Sequence, residues 1–468
     1  MDEDIFFTPA TALAIAIRRK SLSPVELVDA LFERIAKLNP VLKAFIVLTE
    51  EAARDQARRA EQAVMAGDAL GPLHGVPVTI KDFIDVAGLA TTYGSHIFKD
   101  NVVARDAVVV ERVRAAGAIV IGKTTAPDFG WKATGDSRLT GDARNPWSLA
   151  HTPGGSSAGA AASVAAGLGP LAVGTDGAGS IRVPASFCGI VGFKASYGRV
   201  PQPGQSPAQT SHTGPMARTV ADAALLLKVL AGPVGCDPVT LPMPPEDYPA
   251  LLDAGIAGRR IAYSPDLGFA TGIDPEVAAR CHEAALALAD AGAIVEEATP
   301  NWGDPSPIML DMWPAIWAGR VGDRLEAFRD RLDPGLVACT EEGLRQPPET
   351  FVRAQMRRVT WCEQTYRFFE RYDFLLTPSV AVPALEIGRL QPRGAREHPW
   401  NWLSWAPFSF PFNLAWNPAI TVPAGHADDG RPIGLQIVGR RLDDTGVLQA
   451  AAAFEQIRPW AQLRPAVR

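Results

Sequence analysis

From Gly154 to Gly179 the chain is rich in glycine, alanine and serine. It opens as Pro153-Gly154-Gly155-Ser156-Ser157-Ala158-Gly159, directly before the Ala-rich stretch 160–166. That is a glycine loop feeding a helix N-terminus, where backbone N–H groups favour anionic oxygens. The two serines also fit a plain N-cap after a turn. The segment ends in Gly174-Thr175-Asp176-Gly177-Ala178-Gly179-Ser180-Ile181-Arg182, where three small residues lead into a serine. Successive N–H groups in such a turn can make an oxyanion hole, although an ordinary turn with a capping serine fits as well.

The chain around this segment alternates between short apolar runs and helical patterns. Val76 to Ile80 and Ile119 to Ile121 read as strands, and Val108 to Ala116 and Val220 to Leu230 as helices. Such alternation predicts an α/β fold. Upstream, Ser23-Pro24-Val25-Glu26 reads as a capping box and starts the first clear helix, with a second from about 50 to 65. Residues 240–400 have another texture. Strands at Arg259 to Tyr263 and Ile294 to Glu297 flank a helix from about 274 to 291, and proline-rich connections with several tryptophans follow. Strands return at Ile420 to Val422 and Ile433 to Val438, then a helix over about 445–456. The expected organisation is one large domain over 1–468. Within it, 70–235 is a core, 240–400 a variable insert in the substrate region, and 405–468 the closing strands and helix.

Lys81 ends the run Val76-Pro77-Val78-Thr79-Ile80-Lys81. A lysine is costly to bury charged, and burial lowers its pKa until it can act as a base. A strand-end lysine reaching into solvent is the plainer reading. Other motifs fail on context. Gly155-Ser156-Ser157-Ala158-Gly159 matches a nucleophile elbow formally, but no apolar strand precedes it. Gly167 to Ala172 loosely matches a dinucleotide fingerprint, and Pro170 spoils its helix start. The seven histidines are dispersed, so no zinc site is expected. A net charge of −6 without a basic tract disfavours nucleic acid. No apolar run is long enough to span a membrane, and Met1-Asp2-Glu3-Asp4 has the wrong charge for a secretory signal. Five scattered cysteines fit a reducing compartment, so a cytoplasmic location is expected.

Lys81, Ser156 and Ser180 in this order, with Gly154 to Pro184 around the serines, resemble the amidase signature family. Gly75-Val76-Pro77-Val78-Thr79-Ile80-Lys81-Asp82 resembles its lysine strand, and Asn417 to Gly425 with Gly434-Leu435-Gln436 its closing strands. The resemblance covers roughly 20–235 and 405–456. It implies a mixed, twisted central sheet with helices on both faces. Ser180 would be the nucleophile, Ser156 the bridging serine after a cis Gly155–Ser156 peptide, and Lys81 the base. The N–H groups of Gly177, Ala178, Gly179 and Ser180 would form the oxyanion hole. Asp176 and Arg182 would hold the loop, and Ser157 would support Ser156 by a hydrogen bond. Ala158 and Ala178 stand where the family usually has glycine, or serine at the first. The methyl of Ala178 is expected to narrow the space beside the scissile carbonyl.

The implied function is a serine hydrolase of small, aryl-bearing amides, with anilides, carbamates (urethanes) and esters within reach. It would need no cofactor or metal. Its partner would be the small-molecule substrate alone; a homodimer is left open. Expected pocket residues are Phe129, Gly130 and Trp131, with Trp402, Trp405 and Trp416 from the aromatic cluster at 400–416; that cluster equally fits a core or interface patch. The alternatives are the glutaminase component of a tRNA-dependent amidotransferase and a non-catalytic binder on the same scaffold. Against the former, Ala126-Pro127-Asp128-Phe129-Gly130-Trp131 replaces that component's typical M-D-E-F-A-M-G-S-S stretch.

Overall fold

The computed structural model describes residues 3–202, 208–243 and 247–467. Met1 and Asp2 of the acidic start, and the terminal Arg468, lie outside them. The strands in chain order are β1 (Phe45–Leu48), β2 (Pro77–Lys81), β3 (Ile119–Thr124), β4 (Asp136–Ser137), β5 (Gly141–Asp142), β6 (Leu171–Asp176) and β7 (Val191–Lys194). They continue with β8 (His212–Ala217), β9 (Arg260–Tyr263), β10 (Ile294–Glu297), β11 (Phe374–Pro378), β12 (Ala419–His426) and β13 (Pro432–Gly439). All but the small β4–β5 hairpin join one 11-stranded sheet, ordered β1-β3-β2-β6-β8-β7-β12-β13-β11-β9-β10. The sheet is mixed. β2 lies parallel to both β3 and β6, and β9 to β10 and β11, while the other pairings are antiparallel.

Alternation along the strands places helices on both faces. In β2 and β6, Val78, Ile80, Leu171 and Val173 pack against helices Ala10–Arg18, Val108–Ala115, Val220–Leu230 and Asp444–Ile457. Ala172, on the opposite face, packs with helices Ala158–Ala165 and Arg182–Cys188. Every residue of β2 and β6 is buried, as the middle of a sheet covered on both sides requires.

Two local expectations change. A helix over Ala10–Arg18 precedes the one at Ser23. It has no side-chain cap of its own. The buried carboxylate of Asp222 accepts the N–H groups of Ala10 (2.8 Å) and Thr11 (2.9 Å), a cap supplied from far along the chain. The second change lies in the 240–400 region, where proline-rich connections were expected. β9, β10 and β11 extend the same sheet, and the expected connections include helices Ser306–Val321, Pro334–Arg345 and Glu349–Phe368. The first of these has Pro314 at its centre, which conceals its periodicity. Among the described residues no helix is long and apolar enough to cross a membrane.

Candidate active site

β2 and β6 run side by side and parallel, so their C-terminal ends lie together, the edge where open α/β sheets build ligand crevices. Lys81 ends β2, and Thr175 and Asp176 end β6. Ser156 comes from the glycine loop before helix Ala158–Ala165, and the Gly155–Ser156 peptide is cis. Ser180 sits on the turn before helix Arg182–Cys188. Lys81 Nζ lies 2.7 Å from Ser156 Oγ and 2.8 Å from Thr175 Oγ1. Ser156 and Ser180 both line one cavity of about 480 Å³. The three sequence-predicted chemical residues therefore come together.

Lys81 is fully buried, so the solvated strand-end reading does not hold. Burial pushes its pKa well below the ordinary lysine value, and Asp176 and Asp82 offset only part of that effect. A second buried lysine, Lys123 on β3, is paired with Asp82 at 3.5 Å and donates to Ala90 O and Thr91 Oγ1.

Asp176 holds the second loop. Its oxygens accept the N–H groups of Gly179 (2.7 Å) and Ile181 (3.2 Å), and both carboxylate oxygens take a guanidinium N–H of Arg182 at 3.0 Å. Burial alone would raise this carboxyl, but the Arg182 charge and hydrogen bonds outweigh it and hold Asp176 well below the usual carboxylate range. Arg182 also donates to Ser409 O, Asn413 Oδ1 and Gln436 Oε1, so one guanidinium ties the loop to the C-terminal third of the chain. Removing a buried charge that others depend on costs about 3–5 kcal/mol. Arg182→Gln is therefore expected to lower the melting temperature sharply; an unchanged melt by calorimetry would contradict this account of the loop.

Three expected roles need correction. The Gly179 N–H is spent on Asp176 Oδ1, so the candidate oxyanion donors are Gly177, Ala178 and Ser180. Ser157 does not bond Ser156. Its hydroxyl donates to Thr175 O and accepts from Thr175 N–H, and its own N–H donates to Ser180 O (3.1 Å), lashing the two serine loops together. The Ala178 methyl does not narrow the pocket. It is 1% exposed and packs into the aromatic core, while Ser409 Oγ donates to its carbonyl at 2.7 Å.

The pocket is aromatic, but mostly through other residues than expected. Phe129 and Gly130 line it as predicted, together with Phe83, Tyr93, Trp313 and Trp317. Trp131, Trp402, Trp405 and Trp416 do not. Trp131 is fully buried, and its carbonyl accepts the indole N–H groups of Trp313 (3.1 Å) and Trp402 (2.6 Å). Trp405 stacks on Phe187, and Trp416 on Tyr197. Trp400, Trp402 and Trp405 are core and Trp416 is half-buried, and their indoles find partners in the protein: the Trp405 N–H donates to Leu390 O, the Trp416 N–H to Gln209 O. Thr175, Ser409, Asn413 and Gln436 were not foreseen as site residues. Thr175 and Gln436 stand out in retrospect as polar residues inside fully buried apolar strands.

Gly130 has φ +73°, and a Cβ there would fall 2.7 Å from both Ser156 Oγ and a Phe83 ring carbon. Gly130→Ala is expected to displace Ser156 and reduce kcat/KM about 100-fold, the scale of a 1 Å misplacement. Wild-type kinetics in a folded variant would refute it.

The fold thus brings to one aromatic cavity a buried lysine joined to one serine and, opening beside it, a second serine. The Amidase family model matches residues 26–448, and the chain belongs to that family. The acylamidase of Rhodococcus erythropolis is 40% identical over 99% of this chain and 98% of its own length. A glutamyl-tRNA(Gln) amidotransferase component from Symbiobacterium thermophilum is 37% identical over 95% of this chain and 96% of its own. A bacterial aryl acylamidase of solved structure superposes with a TM-score of 0.91 at 29% identity, covering 98% of both chains. The protein is thus an amidase-family hydrolase acting on C–N bonds.

Proposed function

We infer that the substrate is a small aryl-bearing amide, cleaved through an acyl-enzyme on Ser180. The observation that carries this reading is the 2.7 Å contact between buried Lys81 Nζ and Ser156 Oγ beside Ser180 in one cavity. A neutral lysine accepts the Ser156 proton while donating to Thr175, and Ser156 in turn takes the proton of Ser180. Ser180 Oγ attacks the carbonyl, and the oxyanion forms against the N–H groups of Gly177, Ala178 and Ser180. Collapse returns the proton from Lys81 through Ser156 to the departing amine. Water then cleaves the ester by the same relay in reverse.

The six aromatic side chains around the cavity support an aryl substrate. Carbamates and esters pass through similar tetrahedral intermediates and fit the same machinery. Product release from 4-nitroacetanilide, a 4-nitrophenyl carbamate, a small aliphatic amide and glutamine tests the reading. Turnover of the aryl substrates supports it. Turnover of glutamine alone would favour the amidotransferase reading, to which the Symbiobacterium relative belongs.

The base must be neutral to act. kcat/KM is therefore expected to rise with pH through the Lys81 ionisation and level off above it. Because burial depresses that ionisation, the rise falls below the ordinary lysine value of 10.5. A profile flat across this range would remove Lys81 from the role of base.

A further inference from the structure

The helix Ser306–Val321 presents Trp313, Ile316, Trp317 and Arg320 to the cavity, at the spacing of one helical face. Arg320 is exposed where it lines the cavity, so it stands where the cavity meets solvent. Its guanidinium carbon is 6.0 Å from the Trp317 ring. One turn on, Arg324 lies 4.7 Å over the ring of Phe98, which also lines the cavity. Among the described residues neither arginine has a carboxylate partner or a side-chain hydrogen bond, in a protein where most arginines do. Asp85, the carboxylate on the cavity wall, acts instead on Lys123 and Tyr93. The titratable group that acts on Arg320 is Tyr93, and burial raises the Tyr93 pKa, so its hydroxyl stays neutral there. A guanidinium cannot shed its proton, so at this mouth Arg320 keeps a charged fork of donors turned toward whatever enters, and an anion is the group it binds best.

We propose that Arg320, with Arg324 behind it, selects amide substrates that carry a carboxylate remote from the scissile carbonyl. This rests on the amidase reading above. The aromatic walls hold the aryl body, and Arg320 receives the carboxylate as a planar fork. The reaction itself is unchanged, because the anion only positions the substrate.

The experiment compares acetanilide with 4-acetamidobenzoate (anion on the amine arm) and succinanilate (anion on the acyl arm). Wild-type enzyme prefers one of the anionic substrates. Arg320→Gln lowers the anionic-to-neutral ratio of kcat/KM about tenfold or more, mainly through KM, and Arg320→Lys restores part of it. A wild type that favours the neutral substrate, or a variant that loses on all three equally, overturns the proposal. A binding arm keeps the test independent of turnover. In Ser180→Ala protein, calorimetry with the same ligands shows anionic binding that weakens about tenfold on adding Arg320→Gln and weakens with salt. Equal binding with and without Arg320 overturns the proposal. Preserved anion selectivity in binding, with no turnover of any anilide by the wild type, supports the anion site and instead overturns the proposed reaction.

Discussion

Replacing Ser180 by alanine is expected to reduce amide turnover by about 10⁵-fold or more, the scale for a nucleophile that acts as part of a unit. The Ser180 side chain lines the cavity and, among the described residues, makes no hydrogen bond to the rest of the fold. The backbone does the structural work at this position: the Ser180 carbonyl accepts Ser157 N–H, which the variant keeps. Ser180→Ala protein should therefore melt as the wild type does while failing to react with a fluorophosphonate. Residual labelling at wild-type rate would move the nucleophile elsewhere.

The second large effect concerns Lys81. Lys81→Ala is expected to lower amide hydrolysis about 10⁴-fold, but hydrolysis of an activated 4-nitrophenyl ester only about 10²-fold. The difference follows from the leaving group. An amine departs only when it is protonated, so acylation by an amide uses the lysine twice, first as base and then as acid. 4-Nitrophenolate leaves without a proton, so acylation by the ester uses it once. The variant also loses the ascending pH limb described above. Equal losses on the two substrates would contradict the relay through Ser156, and a retained pH limb would assign it to another group.

Much of the site was legible before any coordinates. Lys81, Ser156 and Ser180 are polar residues in glycine-rich or apolar surroundings, and such residues are conspicuous where burial of a polar group is costly. β2, β3, β9 and β10 were legible for a similar reason, since short apolar runs bounded by turn residues offer little alternative. What escaped depends on tertiary partners. The helix at Ala10 is capped by Asp222, on another helix distant in sequence. The pocket walls come from Trp313 and Trp317 because their helix lies across the cavity, while the denser cluster at 400–416 turns its indoles inward to backbone carbonyls. Composition marks both sets equally as aromatic; only the fold decides which meets substrate. The Gly179 N–H looked available as an oxyanion donor because nothing in the sequence states that the neighbouring Asp176 takes it.

The clamp of Arg182 on Gln436 also sets a timetable. These two residues are 254 positions apart, and Gln436 lies on β13, the last strand in chain order among the described residues. At about 5–20 residues per second, a ribosome needs about 13–50 s to travel between them. For most of that interval the nascent chain carries its serines and its lysine but lacks Ser409, Asn413 and Gln436, which Arg182 joins to the turn bearing Ser180. The turn bearing Ser180 is therefore completed late in synthesis, when the closing strands dock, and a chain cut short before β13 lacks the Gln436 arm of this clamp.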